Sequence, residues 1–252
     1  MALTAPKRKK TRRRKRKKKP TPRMRVVAGL RIFGIAVVAL FAASLLWAAI
    51  YGIASPAGSI LMVQRKLSGD VIHHPWTRLE DISPYLVSAV IAAEDTRFCL
   101  HNGIDMEAID KALAESKNGK RLRGASTISQ QTAKNAFFWN GGGWVRKAGE
   151  AWMTMVIETF WPKRRIIEVY LNLAEWGDGH FGAEAAAQAR FGKSAKDLNA
   201  YEAALLASVL PNPHKWRVDP PGPYVRGRAA TIRARMNNVR RDGLDSCVYK
   251  HK

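Results

Sequence analysis

Two glutamates stand where the helical pattern of their neighbours would shelter them, and a sheltered carboxylate suits proton transfer. The first is Glu94. Apolar residues at helical spacing precede it (Val87, Val90 and Ile91), and the glutamate falls in the middle of the stripe that they form. Partial desolvation is expected to raise its pKa and to suit it to general-base chemistry near neutral pH. The simpler alternative is that Glu94 ends the helix and pairs with Arg97.

The segment EDTRFCLHNG (94–103) holds further polar candidates. Asp95 lies beside the apolar stripe and could orient Glu94 or influence its charge. His101 could act as a base or a metal ligand, but no second histidine follows at ligand spacing. We therefore expect His101 to make a structural hydrogen bond that holds the turn at Gly103. The zinc pattern H-E-x-x-H and the Walker phosphate loop are both absent.

The segment GASTISQQTAKN (124–135) predicts a helix with one polar face, formed by Thr127, Gln130, Gln131 and Lys134. Thr127 and Gln130 have the spacing of a capping box at its start. A lysine beside amides and a hydroxyl, near a capped N-terminus, could bind an anion such as a diphosphate. A solvated polar face is the alternative.

The second glutamate, Glu150, closes the segment WVRKAGE (144–150). Arg146 is four residues earlier, so an ordinary surface ion pair is one reading. Glu150 also aligns with Met153 and Ile157, which predicts that it faces the interior. Lys147 and the basic residues 163–165 add positive charge to the same stretch. Cations clustered around a buried acid would suit a negatively charged leaving group.

Helical signals dominate the chain beyond residue 75. Ser83 and Pro84 predict an N-cap followed by proline at the first helical position, and Asn199 with Glu202 has capping-box spacing. Further helices are predicted at 145–160, 163–173, 183–191 and 201–210. We find no convincing strands and no internal repeat, and the proline- and arginine-rich stretch after Pro213 predicts no element. The body is thus predicted to be one mainly α-helical domain at 76–245, followed by a tail at 246–252.

The N-terminal region joins a basic tail to an apolar segment. Residues 1–31 hold 15 lysines and arginines and no acid, which accounts for most of the net charge of +23. Residues 32–54 are almost entirely apolar, and at about 1.5 Å per residue they exceed a hydrocarbon core of about 30 Å. A cleaved signal peptide is the alternative, but the apolar run is about twice a normal signal core. We predict a retained transmembrane helix at 32–54 and a connector at 55–75.

The positive-inside rule places the basic tail in the cytoplasm and the body outside. We expect the tail to be a disordered topogenic segment that attracts anionic lipids. Nucleic-acid binding is disfavoured because no aromatic residue interleaves the lysines. The two cysteines, Cys99 and Cys247, do not make a disulfide framework, and we expect two free thiols.

Taken together, these segments resemble the family 51 glycosyltransferases, the peptidoglycan polymerases. The resemblance covers roughly residues 75–215 in five ordered blocks: EDTRFCLHNG, GASTISQQTAKN, RKAGE running on to KRRIIEVYLN, FGAEAAAQARFGK and YEAALLASVLPNP. One block would be a weak signal, whereas all five in order behind one apolar segment are specific. The resemblance implies a lysozyme-like helical fold, lipid II as the substrate and processive polymerisation at the outer face of the inner membrane.

The resemblance also implies roles for individual residues. Glu94 matches the general base that deprotonates the 4-hydroxyl of the acceptor sugar, and Glu150 matches an acid that assists on the diphosphate side. The substrate-binding positions that it implies are Asp95, Phe98, His101, Ser126, Thr127, Gln130, Gln131, Lys134, Asn135, Arg146 and Lys147. No cofactor is required by the sequence, and a divalent cation (Mg²⁺ or Mn²⁺) at the diphosphate is a candidate. The growing glycan chain, membrane lipids and other cell-wall synthesis proteins are the implied partners.

Two rival functions remain open from the sequence. A lysozyme-like lytic transglycosylase or muramidase also uses one glutamate in a helical cleft, although the lysine-bearing face favours a diphosphate over a neutral polymer. The second rival function is that of a non-catalytic membrane scaffold of cell-wall synthesis, with the basic tail as its docking element. Bifunctional relatives add a transpeptidase module, but S-x-x-K, S-D-N and K-T-G are absent here, so we expect no transpeptidase activity.

Overall fold

Helices make up most of the protein in the computed structural model, which describes residues 21–117 and 126–249. The helices described are α1 (Pro22–Ile53), α2 (Ile60–Leu67), α3 (Pro84–Glu94), α4 (Met106–Lys117), α5 (Ile128–Phe137), α6 (Gly143–Phe160), α7 (Lys163–Leu173), α8 (Ala183–Phe191), α9 (Ala200–Val209) and α10 (Pro223–Arg241). Short 3-10 turns lie at Leu79–Asp81 and Ala195–Asp197, and an antiparallel hairpin is formed by β1 (Glu175–Gly177) and β2 (His180–Phe181). The mainly α-helical prediction is confirmed.

Helix α1 is long and apolar enough to cross a membrane, with a mean hydropathy of 2.4. It begins before the predicted segment 32–54, because arginine is a good helix former and allows the helix to extend back to Pro22. Residues through Ala43 form one compact unit, and residues from Ser44 onward form a second. Residues 1–20, which hold most of the predicted basic tail, lie outside the described residues.

Helix α3 lies at the centre of the second unit. All of its residues from Leu86 to Ala92 are buried, and helices α9 and α10 pack against it. A helix that is apolar all round is stable only when other elements surround it. Full burial ends at Ala92, and Ala93 and Glu94 are partly exposed, so Glu94 at the end of the helix lies at the edge of the core.

Helix α5 packs against α6 and α7 and reaches the last turns of α1. The ring of Phe137, at the end of α5, lies 5.3 Å from Trp47 and 5.5 Å from Tyr51. Trp161 donates a hydrogen bond from Nε1 to the carbonyl of Ala48 at 2.9 Å. These contacts attach the helices that follow α5 to the end of the apolar helix.

The predicted helix starts have mixed outcomes. Both capping boxes form, at Thr127 with Gln130 and at Asn199 with Glu202. Ser83 precedes α3 as predicted, but its side chain does not cap the helix. Its hydroxyl donates to a carbonyl of the α8–α9 connection at 2.7 Å instead, so a tertiary partner replaces the local one.

Helices α2, α4 and α10 and the hairpin were not predicted from the sequence, and α2 lies inside the predicted connector 55–75. The hairpin strands β1 and β2 hold three and two residues, which is too short for a period of two to be read. Helix α10 was missed because its arginines dominate the composition. Its buried residues nevertheless recur at helical spacing, and they are Val225, Ala229, Ile232, Met236 and Val239.

The expectation of two free thiols is wrong. Cys99 and Cys247 form a disulfide, with their Cα atoms 5.5 Å apart. The two residues are separated by 148 positions in the chain, so only the packing of α10 and the segment after it against α3 brings them together. The bond joins the segment that follows Glu94 to the C-terminal end of the described chain.

Candidate active site

The side chain of Glu94 is mostly buried, and few polar side chains contact its carboxylate. Its side chain is 12% exposed. Burial raises the pKa of Glu94, as the apolar stripe predicted, while a hydrogen bond from Gln131 and the positive charge of Arg228 act in the opposite direction. Arg97, the alternative partner of Glu94, pairs with Asp105 at 3.4 Å. The Glu94 carboxylate is thus sheltered, and it does not form the ion pair with Arg97 that was the simpler alternative.

Two successive hydrogen bonds orient the Glu94 carboxylate. Gln131 on α5 donates from Nε2 to Oε2 of Glu94 at 3.1 Å. The hydroxyl of Tyr170 on α7 donates to Oε1 of Gln131 at 3.4 Å, which determines the end of the amide that faces the acid. Burial raises the pKa of Tyr170 well above its ordinary value, so this hydroxyl stays a neutral donor.

Asp95 and His101 form a buried pair that holds the segment after α3. Nε2 of His101 lies 2.9 Å from Oδ1 of Asp95, and the backbone N–H of Gly103 donates to Nδ1 of His101 at 3.1 Å. Because Nδ1 accepts, the neutral ring carries its proton on Nε2 and donates it to the carboxylate. The other Asp95 oxygen accepts the backbone N–H of Ile128 at 3.0 Å, which connects this segment to α5. The structural role expected for His101 is confirmed.

One group of three candidate metal ligands occurs among the described residues: Asp95, His101 and Asp105. Asp105 accepts the backbone N–H of Ala108 at 3.1 Å and also pairs with Arg97. Each of the three side chains is therefore already engaged by protein donors. We interpret this group as a hydrogen-bonded cluster that holds the segment after α3 in place.

Several residues for which the resemblance implied substrate contact are enclosed by the protein. Phe98 has 0% exposed surface, and Asp95 and Thr127 are also buried. The Thr127 hydroxyl donates to the carbonyl of Gly103 at 2.6 Å and accepts the backbone N–H of Gln130 at 3.1 Å. In this structure the side chains of Phe98, Asp95 and Thr127 are enclosed by the protein, and direct substrate contact by them stays a prediction.

Gly103 is required at this junction for steric reasons. Its φ of +89° is unfavourable for residues with a side chain. A Cβ atom there would also lie 2.8 Å from Cγ2 of Thr154 and 3.0 Å from Cγ of Glu158. The close approach allows the Gly103 carbonyl to accept from Thr127, which joins the first two sequence blocks.

Glu150 lies at the centre of a cluster of cations. Its side chain is 4% exposed, so the surface-pair alternative does not hold. Arg146 donates to Oε1 of Glu150, and Nζ of Lys147 lies 3.1 Å from Oε2. Burial lowers the pKa of Lys134, and the charge of Arg146 lowers it further. Burial, Arg146 and Lys134 likewise lower the pKa of Lys147. The three cations are therefore close enough to repel one another.

The residues present at Glu150 do not fit a divalent cation. Mg²⁺ and Mn²⁺ prefer sets of oxygen ligands. Both carboxylate oxygens of Glu150 already face a positive side chain, one Arg146 and the other Lys147. Arg146 and Lys147 therefore balance the negative charge of Glu150.

The basic residues at the start of α7 do not join this cluster, which corrects the expectation from the sequence. They pair with acids elsewhere: Lys163 with Glu158 at 2.8 Å, Arg164 with Glu80 at 3.6 Å and Arg165 with Glu168 at 3.2 Å. Nζ of Lys163 also donates to the carbonyl of His101 at 2.6 Å and lies 4.6 Å from the centre of the Phe98 ring. Lys163 thus supports the segment that follows Glu94.

Helix α5 connects the two glutamates. Gln131 contacts Glu94, and Lys134, three residues later on the same helix, interacts with Arg146. Residues three apart are neighbours on one helical face, about 5–6 Å apart. The polar face predicted for 124–135 therefore extends from the sheltered acid to the cations, with Asn135 partly exposed beside Lys134 and Ser126 exposed before the helix.

Arg228 is a site residue that sequence reasoning missed. It lies on α10 with Nη2 3.6 Å from Oε1 of Glu94. The available signal was an arginine one position before Ala229, a member of the buried stripe of α10. Only the packing of α10 against α3 reveals that this arginine faces the glutamate.

A sequence model of the transglycosylase family matches residues 62–239, which include both glutamates, the polar face of α5 and Arg228. The chain belongs to the transglycosylase family. This assignment confirms the resemblance drawn from the five sequence blocks and the lysozyme-like helical class of the domain. The transglycosylase is an enzyme of the glycosyltransferase class.

Named relatives of this transglycosylase cover most of its length. A biosynthetic peptidoglycan transglycosylase of Rhodospirillum centenum is 59% identical over 194 residues, 77% of this chain and 84% of the relative. A protein of the same name from Caulobacter vibrioides is 50% identical over 199 residues, 79% of this chain and 87% of its own. One from Salmonella agona is 47% identical over 237 residues, 91% and 93% of the two chains.

Proposed function

We propose that this transglycosylase polymerises lipid II into β-1,4 glycan strands, with inversion at the anomeric carbon and release of undecaprenyl diphosphate. The names of the relatives and the five sequence blocks support peptidoglycan synthesis. An α-linked diphosphate donor and a β-linked product require attack from the face opposite the leaving group. Inversion needs a base on one side and stabilisation of the departing charge on the other.

The observation that carries the proposal is the sheltered and oriented carboxylate of Glu94. Its Oε2 is held by Gln131, which leaves Oε1 for the 4-hydroxyl of the acceptor sugar. In the reaction the hydroxyl proton moves to Glu94 as the hydroxyl oxygen bonds to the anomeric carbon of the donor. A positioned base of this kind contributes about 10²–10⁴-fold to the rate.

The departing diphosphate is received by the cations near Glu150. As the bond from the anomeric carbon to the diphosphate breaks, its electron pair leaves with the phosphate oxygen. Lys134, Arg146 and Lys147 are placed to balance that charge, and burial strengthens the interaction of Lys134 with an anion. Glu150 holds Arg146 and Lys147 in position through its two oxygens.

A lipid-linked substrate requires the domain to work at a membrane surface. We propose a single-pass anchor in the inner membrane, with the N-terminus cytoplasmic and the catalytic domain periplasmic. The apolar helix α1 and the basic residues before it support this orientation. The Cys99–Cys247 disulfide also fits an oxidising compartment. Binding to other cell-wall synthesis proteins stays a prediction.

The test compares Glu94→Gln with wild type in detergent on purified lipid II. Glutamine keeps the size of the side chain but accepts a proton far less readily, so we expect polymer formation to fall by about 10²–10⁴-fold. Glu107→Gln is the matched control, because Glu107 is 70% exposed and forms a surface pair. Full activity of Glu94→Gln would show that Glu94 is not the general base.

The lytic rival is tested in the same preparation. Purified sacculi are incubated with the wild-type protein, and soluble muropeptides are measured alongside glycan length on lipid II. Synthesis predicts long glycan without muropeptide release. Soluble muropeptides without chain growth would instead assign a lytic enzyme, and neither product would favour the scaffold.

A further inference from the structure

The two oxygens of Glu94 have different environments. Oε2 accepts a hydrogen bond from Gln131 at 3.1 Å. Oε1 is buried and has no hydrogen-bond partner among the described residues. It faces Nη2 of Arg228 at 3.6 Å, which is close enough for an ion pair but too long for a good hydrogen bond. The Nε atom of Arg228 is also buried without a hydrogen-bond partner in the described chain.

A buried carboxylate oxygen without a donor is costly, so such an oxygen needs an explanation. Arg228 could form a direct hydrogen bond only if it moved closer, and that bond would occupy one of the two lone pairs of Oε1 and make the oxygen less basic. At its present distance the guanidinium supplies charge and leaves both lone pairs of the oxygen without a hydrogen bond. This is the arrangement that a base needs when a hydroxyl must approach it.

We propose that Arg228 is a positioning residue that keeps the Glu94 carboxylate ionised while leaving Oε1 without a hydrogen bond, so that Oε1 can accept the proton of the acceptor hydroxyl. The inference rests on the proposed role of Glu94 as the base. During the reaction the acceptor O–H bond breaks and its proton binds Oε1, while the hydroxyl oxygen bonds to the anomeric carbon. The bond from that carbon to the diphosphate breaks at the same time, and the electron pair leaves with the diphosphate.

The other groups that face Glu94 cannot replace Arg228. Asp95, next to it in the chain, is a carboxylate that opposes ionisation. Gln131 from α5 and Tyr170 from α7 are neutral. Arg228 from α10 is the cation that acts on Glu94 in the part of the chain that the structure describes, and its charge lowers the pKa of the acid.

The experiment is the pH dependence of lipid II polymerisation by the full chain, carrying Arg228→Gln. Without the guanidinium the pKa of Glu94 rises, so the acidic limb of the kcat profile is expected to move up by about one pH unit. Below the limb kcat falls about tenfold, since one pH unit is tenfold in the ionised fraction. Above the limb kcat returns to within about threefold of wild type, and KM for lipid II is unchanged.

Two controls separate charge from structure. Arg228→Lys keeps the charge and is expected to retain the wild-type acidic limb. Arg233→Gln removes a charge from an exposed position of the same helix and is expected to leave the profile unchanged. If Arg228→Gln does not fold, as judged by its thermal midpoint, Arg228→Met keeps the unbranched stem and takes its place.

The inference is overturned if the neutral variant loses the same fraction of kcat at every pH, or if its acidic limb does not move. Glu94→Gln separates this outcome from failure of the proposed function. An inactive Glu94→Gln with an unmoved limb in Arg228→Gln rejects only the role of Arg228. An active Glu94→Gln rejects the base itself.

Discussion

Gln131 donates its amide hydrogen to Oε2 of Glu94 at 3.1 Å, although 37 positions separate the two residues in the chain. The bond crosses from α5 to the end of α3 and gives the carboxylate one orientation. Tyr170 donates a hydrogen bond to the oxygen of the same amide, so the NH₂ group of Gln131 must face Glu94.

Removal of the Tyr170 hydroxyl should weaken catalysis without abolishing it. In Tyr170→Phe the Gln131 amide loses the donor that fixes its orientation, at a cost of about 0.5–1.5 kcal/mol for one hydrogen bond. We expect kcat on lipid II to fall by about 2–10-fold. Tyr224→Phe, on an exposed part of α10, is the matched control and should be neutral. A loss as large as that of Glu94→Gln would mean that Tyr170 itself takes part in the reaction.

Lys134 should limit activity at alkaline pH. Burial first, and the charge of Arg146 second, lower its pKa below the ordinary value for lysine. The cation is present below that lowered pKa and is lost as pH rises through it, so the basic limb of activity should appear earlier than for an ordinary lysine. Lys134→Arg keeps the charge and should move this limb to higher pH. Lys193→Arg, which pairs with Glu202 elsewhere, is the control. An unchanged limb in Lys134→Arg would assign it to another group.

Loss of the disulfide should destabilise the domain. The bond closes a loop between residues 148 positions apart, and Cys247→Ser should lower the free energy of unfolding by about 2–5 kcal/mol. The measurement is denaturant unfolding of wild type and Cys247→Ser, with Ser246→Ala at the exposed neighbour as control. Thiol counting under non-reducing denaturation gives an independent answer. Two free thiols in the wild-type protein would contradict the pairing.

Trp144 should matter on membranes and not in detergent. Four aromatic residues, Phe137, Phe138, Trp139 and Trp144, lie close together in the chain. Phe137 is buried, whereas Trp139 is 44% exposed and Trp144 is 89% exposed. We expect Trp144→Ser to reduce polymerisation of lipid II in vesicles several-fold, because an indole ring favours the headgroup boundary. Phe160→Ser, at the exposed end of α6, reports whether any apolar surface residue has the same effect. Equal losses in detergent would indicate a structural defect instead.

Helices α3 and α5 to α9, with the candidate residues that they carry, were accessible from the sequence because their signals are local. Capping at Thr127 and Asn199 formed as predicted, since each box uses residues within four positions of one another. The partial burial of Glu94 also followed from a helical stripe on its own element. The local prediction was wrong at Ser83, which does not cap α3 because its hydroxyl donates to the segment before α9.

Composition, periodicity and ordered motifs were enough to predict a mainly helical transglycosylase with an apolar N-terminal helix and two sheltered acids. The residues that surround those acids are known only from the packing of the helices. Helix packing brings Arg228 to Glu94 and Cys247 to Cys99, and it directs Lys163 to the His101 carbonyl instead of to Glu150. These pairings depend on distances between elements far apart in the chain, which no local spacing encodes.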